Sequence, residues 1–132
     1  MHRFLRIGNN SRGNAVIEFA LVLPILLLVL FGITEFGRAI MTKNILFTAA
    51  REGARLAAVS PLSDSLSVQG RVTNILDAAN VDAKQITIVY DSATRSIQVS
   101  VTNDFEVLSA GILGSFIGVF ELRGVTSMRY EG

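Results

Sequence analysis

From position 15 to position 33 the chain is apolar except at one residue, Glu18. Nineteen such residues at 1.5 Å each are long enough to cross a hydrocarbon core of about 30 Å as a helix. The helical pattern continues past that run. Phe36, Ile40, Phe47, Ala50, Ala54 and Ala57 recur at spacings of three, four and seven, one apolar face of an α-helix. Pro61, following Ser60, is the first clear terminator. The spacing therefore predicts one helix over residues 14–59, about 69 Å long. Pro24 lies inside it, removing one backbone bond and kinking the helix locally. A chain of 132 residues holds one modest domain. Such a domain cannot bury a helix of that length, so at least the N-terminal half projects.

Residues 1–13 carry Arg3, Arg6 and Arg12 and no acid, a charge of +3. A basic flank retains its side of a span in the cytoplasm, which sets residues 34–132 outside. Arg38, Lys43 and Arg51 lie on the far flank, with Glu35 and Glu52 among them. A carboxylate at the depth of Glu18 costs about 3 kcal/mol on insertion scales, so it needs a partner or a reason. A cut after Gly13 would supply one: a free α-amine on Asn14, with Glu18 fifth in the shortened chain. The segment is not an ordinary secretory signal, because the candidate cut precedes the apolar stretch rather than following it. The alternative is an uncut signal anchor in which Gly13 is a linker glycine.

Beyond the span, small residues line the helix. Ala49, Gly53 and Ala57 form one i,i+4 row and Ala50, Ala54 and Ala58 the next. Such rows admit a close backbone, either that of another helix or a sheet of the same chain. Arg51, Glu52 and Arg55 fall on the other side and read as a solvated charged face.

After Pro61, Leu66, Val68, Val72, Ile75, Leu76 and Ala79 predict a short amphipathic helix over residues 65–79, with Asn80 suited to its C-terminal turn. Ile86-Thr87-Ile88-Val89-Tyr90 and Ile97-Gln98-Val99-Ser100-Val101 alternate with period two around a polar turn. They form a β-hairpin with one buried and one wet face. Residues 120–130 are a third strand with Gly124 as a bulge point. Residues 107–120 are apolar, contain Gly111, Gly114 and Gly118, and are too short to span a bilayer. They read as a loop or short helix returning to the sheet, or as an apolar lip for a partner or the membrane surface. The fold class is α+β: a long N-terminal helix packed at its outer half on a small antiparallel sheet, with a second short helix.

Little in the composition supports catalysis. There is no cysteine, and the only histidine, His2, lies in the leader. Zinc patterns, nucleotide-binding glycine loops and G-x-S-x-G elbows are missing from the sequence, so no metal or cofactor is expected and the chain does not read as an enzyme. The remaining acids, from Asp64 to Glu106, look solvated. Removing residues 1–13 leaves nine basic against eleven acidic residues, a balance that argues against a nucleic-acid partner.

Arg12-Gly13-Asn14-Ala15-Val16-Ile17-Glu18-Phe19-Ala20-Leu21 resembles the prepilin processing site of type IV pilin-like proteins. More narrowly, the chain resembles the TadE-like pseudopilins (minor pilins) of the tight-adherence, or Flp (type IVc), pilus system. Gly32-Ile33-Thr34-Glu35-Phe36-Gly37-Arg38, Thr48-Ala49-Ala50-Arg51-Glu52-Gly53-Ala54-Arg55 and the ending Met128-Arg129-Tyr130-Glu131 fit the same family. The resemblance implies cleavage between Gly13 and Asn14 by an inner-membrane prepilin peptidase. It also implies that Glu18 is the assembly glutamate, meeting the N-terminal amine of a neighbouring subunit. Phe19 stands where the system's major pilins usually show Tyr. The expected partners are the inner membrane, the peptidase, other pilin and pseudopilin subunits and the assembly platform, with no small-molecule substrate. The implied organisation is a leader (1–13), a transmembrane half-helix (14–33), an outer half-helix (34–60) and an extracytoplasmic αβ domain (61–132). The competing reading is an uncleaved single-span anchor displaying a binding module for an envelope partner.

Overall fold

A computed structural model of the chain describes residues 11–108 and 118–131. The elements run α1 (Ser11–Val59), α2 (Ser65–Ala78), β1 (Gln85–Asp91), β2 (Ser96–Phe105) and β3 (Phe120–Arg129), an α+β arrangement. Most of the expected leader and of the 107–120 segment, with Gly111 and Gly114, lies outside the described residues. The chain divides into two units, Met1–Thr34 and Glu35–Gly132.

In the first unit, α1 stays helical on both sides of Pro24 and includes Gly13, three residues earlier than the expected start. Every large apolar side chain from Val16 to Ile33 is exposed in the isolated chain. This helix has the length and composition to cross a membrane.

The second unit is a three-stranded antiparallel sheet in the order β1-β2-β3. Its core joins Leu46, Ala49, Ala50, Ala54 and Ala57 of α1 to Val68, Val72 and Leu76 of α2 and Ile97, Val99 and Val101 of β2. Each fully buried Val or Leu contributes about 1.5–3 kcal/mol of apolar transfer. Alternation along β2 sends Ile97, Val99 and Val101 inward and Gln98 outward. Ser100, on the outward face, is covered by Arg123, whose Nε donates to its Oγ at 2.7 Å. α1 ends before Pro61, and the Glu131 amide donates to the otherwise unpaired Ala58 carbonyl at 3.1 Å.

Four expectations are corrected. Of the expected apolar face, Ala50, Ala54 and Ala57 enter the core, whereas Phe36, Ile40 and Phe47 are exposed, Phe36 by 68%. The surface that meets the sheet is the row of small residues, because only there can the two backbones come close. Leu66 is 80% exposed, and Val68, Val72 and Leu76 form the buried stripe of α2. That helix stops one residue early, at Ala78. Asn80 is left-handed (φ 56°) and donates to Asp77, while Val81 donates back to Leu76, closing a Schellman motif. Finally, β3 has no bulge. Its register to β2 is unbroken from Ser96↔Arg129 to Phe105↔Phe120. Gly124 is required for another reason: a Cβ there would lie 2.5 Å from the carbonyl carbon of Leu46, where α1 crosses the strand.

Candidate functional site

The residues singled out in the sequence fall into two groups, one in each unit. Gly13, Asn14 and Glu18 lie on α1 in the first unit, all exposed. Asn14 and Glu18 are one turn apart, so they share a helix face. Among the described residues none forms an ion pair or hydrogen bond with the Glu18 carboxylate.

Ala49, Ala50, Gly53, Ala54 and Ala57 form the second group, and all are buried. A Cβ on Gly53 would lie 2.6 Å from Val72 Cγ2 and 3.3 Å from Val99 Cγ1. Gly53 therefore lies where α1 packs closely against both α2 and the sheet. Of the two uses open to a row of small residues, the one realised is close packing inside the chain. The row is not free to receive another subunit. Around it, Glu52 accepts from Arg55 at 3.2 Å and lies 3.9 Å from Arg71 of α2. These solvated pairs contribute little.

A third cluster was not anticipated. The Glu35 side chain is 13% exposed and uses both oxygens. Oε2 accepts from Arg38 at 2.8 Å and Oε1 from the backbone amide of Leu108 at 2.9 Å. The Arg38 guanidinium lies 5.1 Å from the centroid of the Phe105 ring, a cation–π contact. One half of this cluster sits in the Gly32–Arg38 stretch quoted above. The other half is some seventy residues away and carries no signal of its own. At the same end of the sheet Lys84 donates to Asp104 at 2.8 Å and to Glu121 at 3.4 Å. Those two hydrogen bonds hold the ammonium pKa above its ordinary 10.5. At the hairpin tip, Asp91 accepts from the Thr94 hydroxyl and the Ala93 amide, which lowers its carboxyl pKa below 3.8.

An open apolar groove of about 350 Å³ lies between the start of α2 and β1, with Asp64 and Tyr90 at its polar margin. Among the described residues no group of three or more His, Cys, Asp or Glu is placed to hold a metal. No curated protein and no solved structure matches the chain. The family model described as TadE-like protein matches residues 13–55, from the glycine at the candidate cut to the end of the small-residue block. Over that stretch, about a third of its length, the chain is similar to TadE-like proteins.

Proposed function

We propose that this chain is a minor pilin, or pseudopilin, of a Tad (Flp, type IVc) pilus, cut between Gly13 and Asn14 by a prepilin peptidase. The supporting observation is the family match, which begins at Gly13 and carries Glu18 and the helix after it. In this reading residues 14–33 span the inner membrane with the N-terminus cytoplasmic, and the second unit is extracytoplasmic. Glu18 meets the α-amine of Asn14 on a neighbouring subunit. Two desolvated opposite charges satisfy each other at one axial stagger only, so the pair acts as a register device more than as a source of net stability. Phe36, Ile40 and Phe47, exposed on α1, supply apolar surface for the same neighbours. The peptidase, sister pilins and the assembly platform are the partners, and the chain's role is structural rather than enzymatic.

The test is N-terminal sequencing of the membrane-extracted protein with and without the peptidase co-expressed. The expected result is a mature chain starting at Asn14 and a block of processing by a bulky substitution at Gly13. Glu18→Ala is expected to leave cleavage largely intact and abolish incorporation or initiation. A chain still beginning at Met1 in piliated cells would favour an uncut anchor and overturn the proposal.

A further inference from the structure

The two edges of the sheet are finished differently. β3, at one edge, carries Glu121, Arg123 and Arg129, and α1 crosses it at Gly124. β1, at the other, bears no charge from Gln85 to Tyr90, no proline and no bulge, and its register to β2 is unbroken. Charges, prolines and bulges are how proteins blunt an edge that would otherwise pair with another strand, and β1 has none of them along that run. Among the described residues no backbone group of another element bonds to its outer edge. The flank of α2 beside that edge is of the same character. Ser65 lines the groove next to Ile88 and Tyr90, and Gln69 and Thr73 continue its i,i+4 row, all uncharged. Arg71, on the other flank of α2, lies near Glu52 of α1. The groove itself is apolar, with Leu62 on its wall 53% exposed. An open edge beside an apolar groove is the arrangement that takes an added strand, with backbone bonds to the edge and alternate side chains in the groove.

We infer that the added strand is β1 of a second copy of this chain, paired antiparallel about a two-fold axis at Ile88. Ile88 is the middle residue of Gln85–Asp91, so this register alone pairs the strand along its full length. It also keeps the faces matched. Ile86 lies opposite Tyr90 of the second copy on the core face, and Thr87 opposite Val89 on the outer face, all β-forming residues. Ile86 of each copy thereby reaches the groove of the other, beside Tyr90 and Leu62. The charges decide the direction. β1 is bounded by Lys84 at one end and Asp91 at the other. Antiparallel pairing brings each Lys84 next to Asp91 of the other copy, whereas parallel pairing would set like charges together. The strand is thus complementary to itself in both shape and charge. The product is one continuous antiparallel sheet, three strands from each copy, with both α2 helices on the same side and their Ser65–Thr73 rows facing each other. The inference concerns the second unit alone and stands whether or not the first is a cleaved membrane span.

The full-length chain in detergent micelles is expected to sediment as a concentration-dependent dimer. Gln85 is exposed and lies opposite Asp91 of the second copy, so its charge can be set without touching the core. Two such pairs form in each dimer. Gln85→Lys should tighten the dimer about five-fold and Gln85→Glu weaken it by about as much, with circular dichroism unchanged in both. The register can be read directly, because the chain has no cysteine. Differently tagged T87C and V89C copies, mixed and mildly oxidised, should cross-link to each other in preference to themselves, since Thr87 and Val89 are the opposed pair. T87C mixed with S127C, on β3, should not link. A monomer at every concentration overturns the inference. So does a dimer that responds alike to both Gln85 variants or gives no T87C–V89C link, because it forms through another surface such as the apolar half of α1. A chain that associates in a Gln85-dependent way only with a different envelope protein gives the edge to another strand, and also overturns the second copy as its occupant.

Discussion

The two halves of α1 solve opposite problems with one backbone. From Val16 to Ile33 the side chains are large, apolar and exposed, whereas from Ala49 to Ala58 they are small and mostly buried. Burial does not track hydrophobicity along this helix; it tracks the distance to the nearest backbone. The first half offers bulk to a solvent of acyl chains or to other helices. The second gives up side-chain volume so that a sheet and a second helix can come close. The glycines show the same contrast. Gly32 and Gly37 have nothing within 4 Å of an added Cβ, while Gly53 of the helix and Gly124, where β3 meets it, are crowded.

The sharpest break is expected at Gly124. Gly124→Ala drives a methyl into the Leu46 backbone, which has no rotamer to change. The chain in detergent should lose about 3 kcal/mol of stability, measured by denaturant unfolding followed by circular dichroism. A loss below about 0.5 kcal/mol would mean that α1 does not cross β3 so closely. Gly53→Ala should cost less, about 1–2 kcal/mol. Its obstacle is the end of the Val72 side chain, and the helix gains up to about 1 kcal/mol in propensity. Val72→Ala in the same chain should recover part of that loss. Gly37→Ala should go the other way, stabilising the chain by up to about 1 kcal/mol. If it instead spoiled filament formation while raising the unfolding midpoint, open space in the single chain would be occupied space in the assembly.

The smallest effect concerns the hairpin tip. The folded pKa of Asp91 is lowered, so its contribution is complete above the unfolded value of 3.8 and is lost as pH falls through the lower folded value. Amide exchange at Ala93 should therefore accelerate in acid relative to that expected for an unstructured amide. Asp91→Asn should remove the pH dependence without moving the exchange of Val99.

Much of the fold could be read from local pattern. Pro61 ends α1, Asn80 takes the left-handed turn, and the period-two runs around Ile88 and Val99 pair as a hairpin. Only the small residues of the predicted helix face, Ala50, Ala54 and Ala57, reach the core, and the cause is simple. A hydropathy pattern favours Phe36, Ile40 and Phe47 over alanine, whereas contact with a sheet selects against their size. Strand β2 runs on to Phe105 through Thr102, Asn103 and Asp104, which do not look like strand residues until β3 is beside them. Gly124 and the Glu35–Leu108 bond depend on partners far away in the chain, and no local periodicity encodes those. For the candidate site the balance reverses. Gly13, Asn14 and Glu18 are singled out by the sequence alone, because a carboxylate in an apolar run is conspicuous without any fold around it. The structure adds that Glu18 is unpaired among the described residues and that the small-residue row is already occupied.

Helix α1 already includes Gly13 in the uncut chain. Peptidases act on extended backbone, and a bond within a helix is shielded by the hydrogen bonds that flank it. If the chain is cut there, local melting has to precede hydrolysis, and glycine weakens a helix by about 1 kcal/mol relative to alanine. Processing would then depend on fraying of the first turn of α1. Stiffening residues around the cut would lengthen the life of the precursor while leaving its recognition unchanged, and the pool of subunits ready for a filament would be metered by the stability of a single helical turn.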